Sequence, residues 1–202
     1  MARPSKPKLN TDIIAKAALA LVDKHGEFTL PQLAKALSVS ASSLYNHVQG
    51  KDEIVELMRG QAMSAIKLPE AQDGDWQQTV RDIATAYWDS YSKHPRLIPL
   101  LTSHTVRDRT TLRVYDALAE AFAQAGFAPE QRLQVITIVD SFVLGSALDA
   151  AAPEQVWEAD EESADAFKQS LELGLAEEKR AEKTFQLGLD VILAGLAGHL
   201  TQ

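Results

Sequence analysis

The 202-residue chain contains no cysteine, no long apolar run and few aromatic residues. A chain without cysteine forms neither disulfides nor thiolate metal sites, so a reducing cytoplasm is its expected location. No apolar stretch approaches the roughly 20 residues that a membrane-spanning helix needs. The N-terminal sequence MARPSKPKLN is basic but lacks the apolar segment of a secretory signal. We therefore expect a soluble cytoplasmic protein without a membrane partner.

Catalytic patterns are missing as well. The sequence has no nucleophile placed beside a base, no metal-ligand spacing and no phosphate-binding loop. An enzyme that uses His104, Asp140 and Asp149 for acid–base chemistry is the alternative that these absences disfavour. We expect no catalytic residue, no metal site and no cofactor.

Acidic residues outnumber basic ones, but the net charge of -8 is unevenly distributed. Residues 1–60 contain eight Lys and Arg against six Asp and Glu, whereas the remainder contains 12 against 22. An acidic protein binds polyanions poorly as a whole, yet a mildly basic end can still contact phosphates. Arg3, Lys6 and Lys8 form a basic arm at this end, which serves either phosphate contact or solubility.

Helical periodicity is found in almost every segment, and no strand-like alternation is convincing. Asn10 or Thr11 can cap a first helix, and Gly26 can end it. Thr29 and Gln32 form a capping box for a second helix, which ends near residue 37. Further helices are predicted at 41–48, from 51 onward, and near 76–93, 95–103, 107–125, 129–151, 164–179 and 182–200, with a domain boundary at 68–75.

The second and third predicted helices are joined by the three-residue link Ser38-Val39-Ser40, which is typical of a helix-turn-helix. Apolar residues such as Leu44 hold the two helices together, and the rest of the third helix faces outward. The outward residues are Ala41, Ser42, Ser43, Tyr45, Asn46 and His47. Side chains this short allow a helix to enter a DNA major groove closely.

The pattern T-x-x-x-L-A-x-x-L-x-V-S-x-x-x-L-Y-x-H-V-x-x-K-D-E, from Thr29 to Glu53, resembles the DNA-binding segment of the TetR family of bacterial transcriptional regulators. The stretches 123–149 and 185–200 resemble the dimerisation helices of the tetracycline-repressor branch. The resemblance implies an all-α fold. Its N-terminal three-helix domain, over residues 1–67, binds DNA through the helix-turn-helix, and its C-terminal helical domain, over 68–202, binds a ligand and dimerises.

The same resemblance implies which residues contact double-stranded operator DNA. They are Thr29, Ala41, Ser42, Ser43, Tyr45, Asn46, His47 and Lys51. Tyr45 and His47 are expected to contact the phosphate backbone and neighbouring bases, and Lys51 to hold a phosphate from a helix N-terminus. The plainer alternatives are a packing role for Tyr45, a surface histidine at position 47 and a solvated lysine at position 51.

Two positions depart from the family pattern. Ser38 stands where the family often has a glycine in the left-handed conformation, which serine adopts only at some cost. Pro31 stands where many members have an arginine that faces the groove. Without that arginine, we expect apolar contact from Ala41 with thymine methyl groups and readout of DNA shape to carry more of the specificity.

In the resemblance, helices between about 76 and 150 enclose an effector whose binding changes the DNA-bound conformation. Ile83 and Thr102 stand where the tetracycline-sensing branch has a drug-binding asparagine and a metal-binding histidine, so we expect no sensing of a tetracycline–magnesium complex. The predicted ligand-binding residues are Tyr87, Trp88, Tyr91, His104, Arg107, Phe122, Asp140, Ser141 and Phe142. This set favours an apolar or aromatic small molecule, unless its aromatic members simply form the core.

Asp140 interrupts a strongly apolar helix, and an unpaired buried carboxylate is unfavourable. It is therefore either paired with an arginine, such as Arg107 or Arg132, or functional.

The stretches RLQVITIVDSFVLGSAL and FQLGLDVILAGLAGHL are apolar around most of a helix circumference, so they need cover on all sides. A homodimer through the helices near 129–151 and 182–200 provides that cover, and an internal helix pair in a monomer is the alternative. The sequence thus predicts a ligand-responsive, DNA-binding transcriptional regulator, and specifically a repressor released from its operator by a small molecule. The alternatives are an enzyme and a helical small-molecule-binding module without DNA binding.

Overall fold

The computed structural model describes residues 9–68, 75–153, 155–174 and 179–200. Within these ranges the chain forms ten α-helices and one 3₁₀ turn and contains no strand, which confirms the predicted all-α class. The basic arm and most of the predicted boundary at 68–75 lie outside the described residues. None of the described helices is both long enough and apolar enough to span a bilayer.

The helices follow the predicted order. They are α1 (Thr11–His25), α2 (Leu30–Leu37), α3 (Ala41–Tyr45), α4 (Lys51–Met63), α5 (Trp76–Tyr91), α6 (Ile98–Leu101), α7 (Arg109–Ala125), α8 (Pro129–Asp149), α9 (Asp165–Gly174) and α10 (Arg180–Leu200), with the 3₁₀ turn at Pro95–Leu97.

The chain divides into two compact units. Unit 1 comprises Met1–Leu68 and Lys93–Ala117, and unit 2 comprises Pro69–Ser92 and Leu118–Gln202. Unit 1 therefore includes a segment that the sequence analysis assigned to the C-terminal domain. The predicted functional division after residue 67 stays a prediction, because compactness groups residues by contact rather than by role.

Local capping interactions determine the helix ends in unit 1. The Asn10 side chain accepts a hydrogen bond from the Ile13 N–H at 2.8 Å, and Gly26 ends α1 with a φ of 80°. The predicted capping box is present, because the Thr29 N–H donates to Gln32 Oε1 at 2.8 Å and the Gln32 N–H donates back to Thr29 Oγ1 at 3.3 Å. These caps fix where α1 and α2 begin, and α1 packs against both α2 and α4.

The core of unit 1 is formed by one face of each of these helices. Its fully buried members include Ile14, Val22, Phe28, Leu33, Ile54 and Met58. Burying a side chain of this size contributes roughly 1.5–3 kcal/mol to stability. The packing of these residues therefore holds α2 and α4 against α1, and α3 packs against α2.

The third helix is shorter than predicted, since it ends at Tyr45 rather than Val48. Asn46 and His47, which are weak helix formers, lie in a turn instead. The Val48 N–H still donates to the Leu44 carbonyl at 3.0 Å, and Val48 is buried. The turn thus places Val48 in the core, and α4 begins shortly after it, with Gly50 as its N-cap.

Unit 2 is built on three long helices. α5 packs against α8, and α8 packs against α10. Each of α8 and α10 has 21 residues, with buried side chains such as Val139 and Leu189 on one side. Large apolar residues on other sides of these two helices are exposed: Leu133, Ile138, Leu148, Leu187 and Val191.

Candidate DNA-binding surface and ligand-binding residues

The turn between α2 and α3 is held by the backbone conformation of Ser38. Its φ of 56° and ψ of 40° place it in the left-handed region, as predicted from the position of the family's glycine. Its N–H donates to the Lys35 carbonyl at 3.1 Å. Ser40 then caps α3, because its Oγ accepts from the Ser43 N–H at 3.2 Å.

The short helix α3 is anchored by Leu44, which is 1% exposed, while its neighbour Tyr45 is 57% exposed. The Tyr45 ring is therefore not part of the core, which disfavours the packing alternative. All the predicted DNA-contacting residues except Ser43 are exposed: Thr29, Ala41, Ser42, Tyr45, Asn46, His47 and Lys51. Their contact with DNA stays a prediction. α3 and the turn after it carry five of the seven, while Thr29 caps α2 and Lys51 begins α4.

The serines of α3 form a small hydrogen-bonded group. Ser40 Oγ lies 2.8 Å from the Oγ atoms of both Ser42 and Ser43. Ser40 Oγ also accepts from the Ser43 N–H and so has no capacity left, whereas the Ser42 and Ser43 hydroxyls can each form further bonds. They offer short contacts to a groove rather than the long, bidentate reach of arginine.

Lys51 begins α4 next to an aromatic ring. Its Nζ lies 5.4 Å from the ring centroid of Phe28, which is fully buried. A cation over a ring face gains about 0.5–1 kcal/mol at an exposed site. The ammonium group is thus held near the N-terminus of α4, where the helix dipole also favours phosphate.

A buried polar joint connects α4 to the segment that precedes α7. The Arg59 side chain donates from Nε to Glu56 Oε1 at 2.8 Å and from Nη2 to the carbonyls of Leu101 and His104, each at 3.1 Å. Glu56 Oε2 accepts from the main-chain N–H groups of Arg107 and Asp108. Burial raises the pKa of Glu56, but these hydrogen bonds outweigh it and hold the pKa below its ordinary value.

The joint continues at Gly60, where the two segments approach closely. A Cβ atom on Gly60 would lie 2.5 Å from Asp108 Oδ2. Asp108 in turn accepts from the Thr111 N–H at 2.8 Å, which caps α7. Sequence reasoning missed Glu56, Arg59 and Gly60. The available signal was Arg59, a long cation between the apolar positions of α4.

His104 and Arg107, two of the predicted ligand-binding residues, lie in unit 1. His104 Nδ1 donates to the Leu100 carbonyl at 2.7 Å, and its Nε2 lies 3.4 Å from Asp52 Oδ1. A polar cavity of about 640 Å³ is lined by residues that include Lys51, Asp52, His104 and Arg107. The structure thus groups both residues with the start of α4, and their contact with an effector stays a prediction.

In unit 2, the structure brings several predicted ligand-binding residues together between α5 and α8. The Tyr87 hydroxyl donates to Asp140 Oδ1 at 2.7 Å, and the Tyr87 and Tyr91 rings meet edge to face at 5.0 Å. Arg132, one of the two arginines expected to pair with Asp140, donates from Nε to the Phe127 carbonyl. The tyrosine hydroxyl is thus one partner of this half-buried carboxylate.

Trp88 and Phe142 both lie nearly parallel to a third ring, Phe185. The ring centroids are 4.9 Å and 5.6 Å from that of Phe185, with interplanar angles of 13° and 12°. Phe185 is not among the ligand-binding residues predicted from the sequence, because its helix resembles a dimerisation helix. The feature of the sequence that could have indicated Phe185 is an aromatic residue among the apolar positions of the first turns of α10.

The remaining predicted residues are placed apart from this group. Phe122 packs with Trp76 and Phe127 in a separate aromatic cluster, and Ser141 is exposed. Asp149 forms an ion pair with Arg180 at 2.9 Å and 3.0 Å. Across the described ranges no three His, Asp or Glu side chains are grouped as metal ligands would be.

Comparison with known proteins agrees with this architecture. Residues 68–200 match the family described as Tetracyclin repressor-like, C-terminal domain. An HTH-type transcriptional regulator of Saccharopolyspora erythraea is 27% identical over 161 residues, which are 79% of this chain and 66% of that protein. The HTH-type transcriptional repressor DrrR1 of Streptomyces coeruleorubidus is 25% identical over 151 residues, 72% of this chain and 56% of that protein. The chain thus spans less than two thirds of the length of either relative.

The fold also matches a solved structure. Apo ActR from Streptomyces coelicolor superposes with a TM-score of 0.81 at 21% identity, covering 98% of this chain and 99% of ActR. ActR has also been solved in complex with actinorhodin, and that structure matches with a TM-score of 0.78 at 22% identity, covering 96% of this chain and 98% of ActR. Because the matched C-terminal segment covers more than half of the chain, the protein belongs to the TetR family of transcriptional regulators.

Proposed function

We propose that the protein is a cytoplasmic, homodimeric transcriptional repressor, without enzymatic activity, that is released from double-stranded operator DNA by an apolar or aromatic small molecule. The observation that carries this proposal is the arrangement of α3. Leu44 and Val48 anchor the helix-turn-helix in the core, while Tyr45 and its polar neighbours are exposed. A short helix held from below and polar on its outer face is suited to enter a major groove.

The electrostatics of the N-terminal region support binding to phosphates. Lys51 is held at the N-terminus of α4 by the Phe28 ring, and residues 1–60 carry more basic than acidic side chains in an acidic protein. Phosphate contacts release counterions, so the affinity for DNA should fall steeply as salt is raised.

The exposed apolar side chains of α8 and α10 support dimerisation through these helices. Leu133 is 74% exposed, Leu187 is 66% exposed and Val191 is 63% exposed. A second copy related by two-fold symmetry would cover them and place two recognition helices on one palindromic site. Val191→Glu should therefore convert the dimer to monomer in sedimentation experiments, whereas Tyr45→Glu, at another exposed side chain, should leave the mass unchanged.

Effector release requires that the ligand prefer a conformation with lower DNA affinity. The cluster of Tyr87, Trp88, Asp140 and Phe142 in unit 2 supplies aromatic surface and polar groups for such a ligand. In unit 1, hydrogen bonds of Arg59 and Glu56 join α4 to residues 101–108. A displacement of that segment would therefore be transmitted to α4. The relatives support this direction, since DrrR1 is named a repressor and ActR binds actinorhodin.

The test is a binding titration with DNA from upstream of the protein's own coding region, followed by fluorescence anisotropy at several salt concentrations. The Tyr45→Ala/Lys51→Ala double variant should lose about ten- to a hundredfold in affinity, with a shallower salt dependence. Lys168→Ala, which removes a partly exposed lysine from α9, is the matched control and should bind normally. Undiminished binding by the double variant would show that another surface contacts DNA.

A further inference from the structure

The indole nitrogen of Trp88 is buried without a hydrogen-bond partner among the described residues. Buried tryptophan N–H groups usually have an acceptor, and each exception calls for an explanation. The only other buried side-chain atom in this condition within the described ranges is Asp23 Oδ1, which is an acceptor in unit 1. Trp88 is therefore the one unpaired side-chain donor in the described interior.

The donor lies in the aromatic part of unit 2. Trp88 is nearly parallel to Phe185, and so is Phe142. Phe185 is fully buried, whereas Trp88 and Phe142 keep part of their surface accessible. Rings of similar orientation present flat apolar surface, on which a planar aromatic molecule can stack.

The neighbouring polar groups already have partners. The Tyr87 hydroxyl, one residue before Trp88 on α5, donates to Asp140 at 2.7 Å. A ligand that took the hydrogen of the Tyr87 hydroxyl would have to break this bond, and the hydrogen bond lost would offset the one gained. The Trp88 N–H carries no such cost, because forming a bond to it satisfies a donor that is otherwise unpaired.

We propose that Trp88 determines effector specificity by donating a hydrogen bond to an acceptor atom on a planar aromatic effector, such as a ring carbonyl. This inference rests on the proposed function, because it takes this aromatic cluster as the effector site. The nitrogen has almost no accessible surface, so an effector must displace some of its side-chain cover. The donor then gains its partner only in the ligand-bound conformation, and that difference contributes to the shift between conformations.

Fluorene and fluorenone provide a direct test, since they share one planar skeleton and differ in a single carbonyl. Their affinities are measured by equilibrium dialysis with the full-length protein. Wild type should bind fluorenone about three- to tenfold more tightly than fluorene, the ratio that one net hydrogen bond supplies. In Trp88→Phe the ratio should fall to about one. Trp76→Phe, which alters a tryptophan packed against Phe122 and Phe127, should keep the wild-type ratio.

A spectroscopic measurement on wild type makes the test independent of how the variant folds. Fluorenone should shift the indole N–H resonance of Trp88 downfield in a proton–nitrogen correlation spectrum, and fluorene should not. Equal affinities in wild type, binding of neither compound, or a fluorenone preference that survives in Trp88→Phe would each overturn the proposal. None of these outcomes affects operator binding by the unliganded protein, so the failure of the repressor function itself would be seen separately in the DNA titration.

Discussion

The guanidinium of Arg59 lies 2.8 Å from the carboxylate of Glu56, and their side chains are only 6% and 13% exposed. Two charges removed from water in this way are stable only if further hydrogen bonds satisfy them. Here the main-chain carbonyls of Leu101 and His104 accept from Arg59, and two main-chain N–H groups donate to Glu56. The ion pair is thus stabilised by residues that follow it in the sequence by more than forty positions.

Loss of Arg59 should destabilise the protein strongly. Arg59→Met leaves the Glu56 charge without its partner, and breaking a buried pair from one side costs about 3–5 kcal/mol. Urea denaturation should show this loss in the free energy of unfolding. Lys16→Met, which removes an exposed pair with Asp12, should cost less than about 0.5 kcal/mol. Similar losses in the two variants would contradict the role of burial.

Glu56 should make stability depend on pH in the acid range. Its pKa is lowered in the folded protein despite burial, because Arg107 N–H, the Arg59 side chain and Asp108 N–H bind its ionised form. A carboxyl group with a lowered pKa stabilises the fold above its unfolded-state pKa, and this contribution is lost as pH falls through the folded-state value. The free energy of unfolding should therefore decline below about pH 4.5, the ordinary value of this carboxyl group.

Glu56→Gln should flatten that decline, although the variant is less stable near neutral pH. Denaturation curves recorded between pH 3 and pH 7 measure the effect. Glu120→Gln, at an exposed position of α7, is the control and should follow the wild-type curve. If the Glu56→Gln curve keeps the wild-type slope below pH 4.5, other carboxyl groups are responsible.

Gly60→Ala should destabilise unit 1, although alanine favours helices over glycine by about 1 kcal/mol. Its Cβ would meet Asp108 Oδ2 at 2.5 Å, and Asp108 is held in place by Thr111. Overpacking of this kind costs about 1–3 kcal/mol. The same substitution in an Asp108→Ser background should cost clearly less, because the shorter side chain removes the clash. Thermal unfolding of wild type, the two single variants and the double variant gives a double-mutant cycle. Additive effects of the two substitutions would argue against the contact.

Ser38→Gly should stabilise the protein by about 0.5–1 kcal/mol, because glycine adopts the left-handed conformation of this turn without the cost of a Cβ. The control is Ser92→Gly, at the end of α5, where φ is -62° and ψ is -21°. Glycine has no advantage in that right-handed conformation, so this variant should be less stable than wild type. A loss of stability in Ser38→Gly would contradict the assigned strain.

The features that sequence reasoning predicted correctly are determined over short distances along the chain. The Asn10 cap, the Thr29–Gln32 capping box and the left-handed residue at Ser38 each involve residues within one or two helical turns. Such interactions follow from residue type and spacing. The end of α3 was predicted three residues too late, because the return of Val48 to the core depends on packing against other helices.

The features that sequence reasoning missed join distant segments. Arg59 bonds to residues 42 and 45 positions away, and Tyr87 bonds to Asp140 across 53 positions. No periodicity in the sequence encodes such pairings, since they arise only when helices pack. The sequence grouped the aromatic candidates together, whereas the structure divides them between the Phe185 group and the Phe122 cluster, and their contact with an effector stays a prediction.

The composition of unit 1 from two separate segments has a consequence for the order of synthesis. The helix-turn-helix is translated within the first 50 residues, but the carbonyl acceptors of Arg59 belong to residues 101 and 104. During translation unit 1 cannot complete its core until the ribosome has added the segment up to residue 117. A fragment that ends at residue 68 should for the same reason be a poor substitute for the whole chain in DNA-binding experiments.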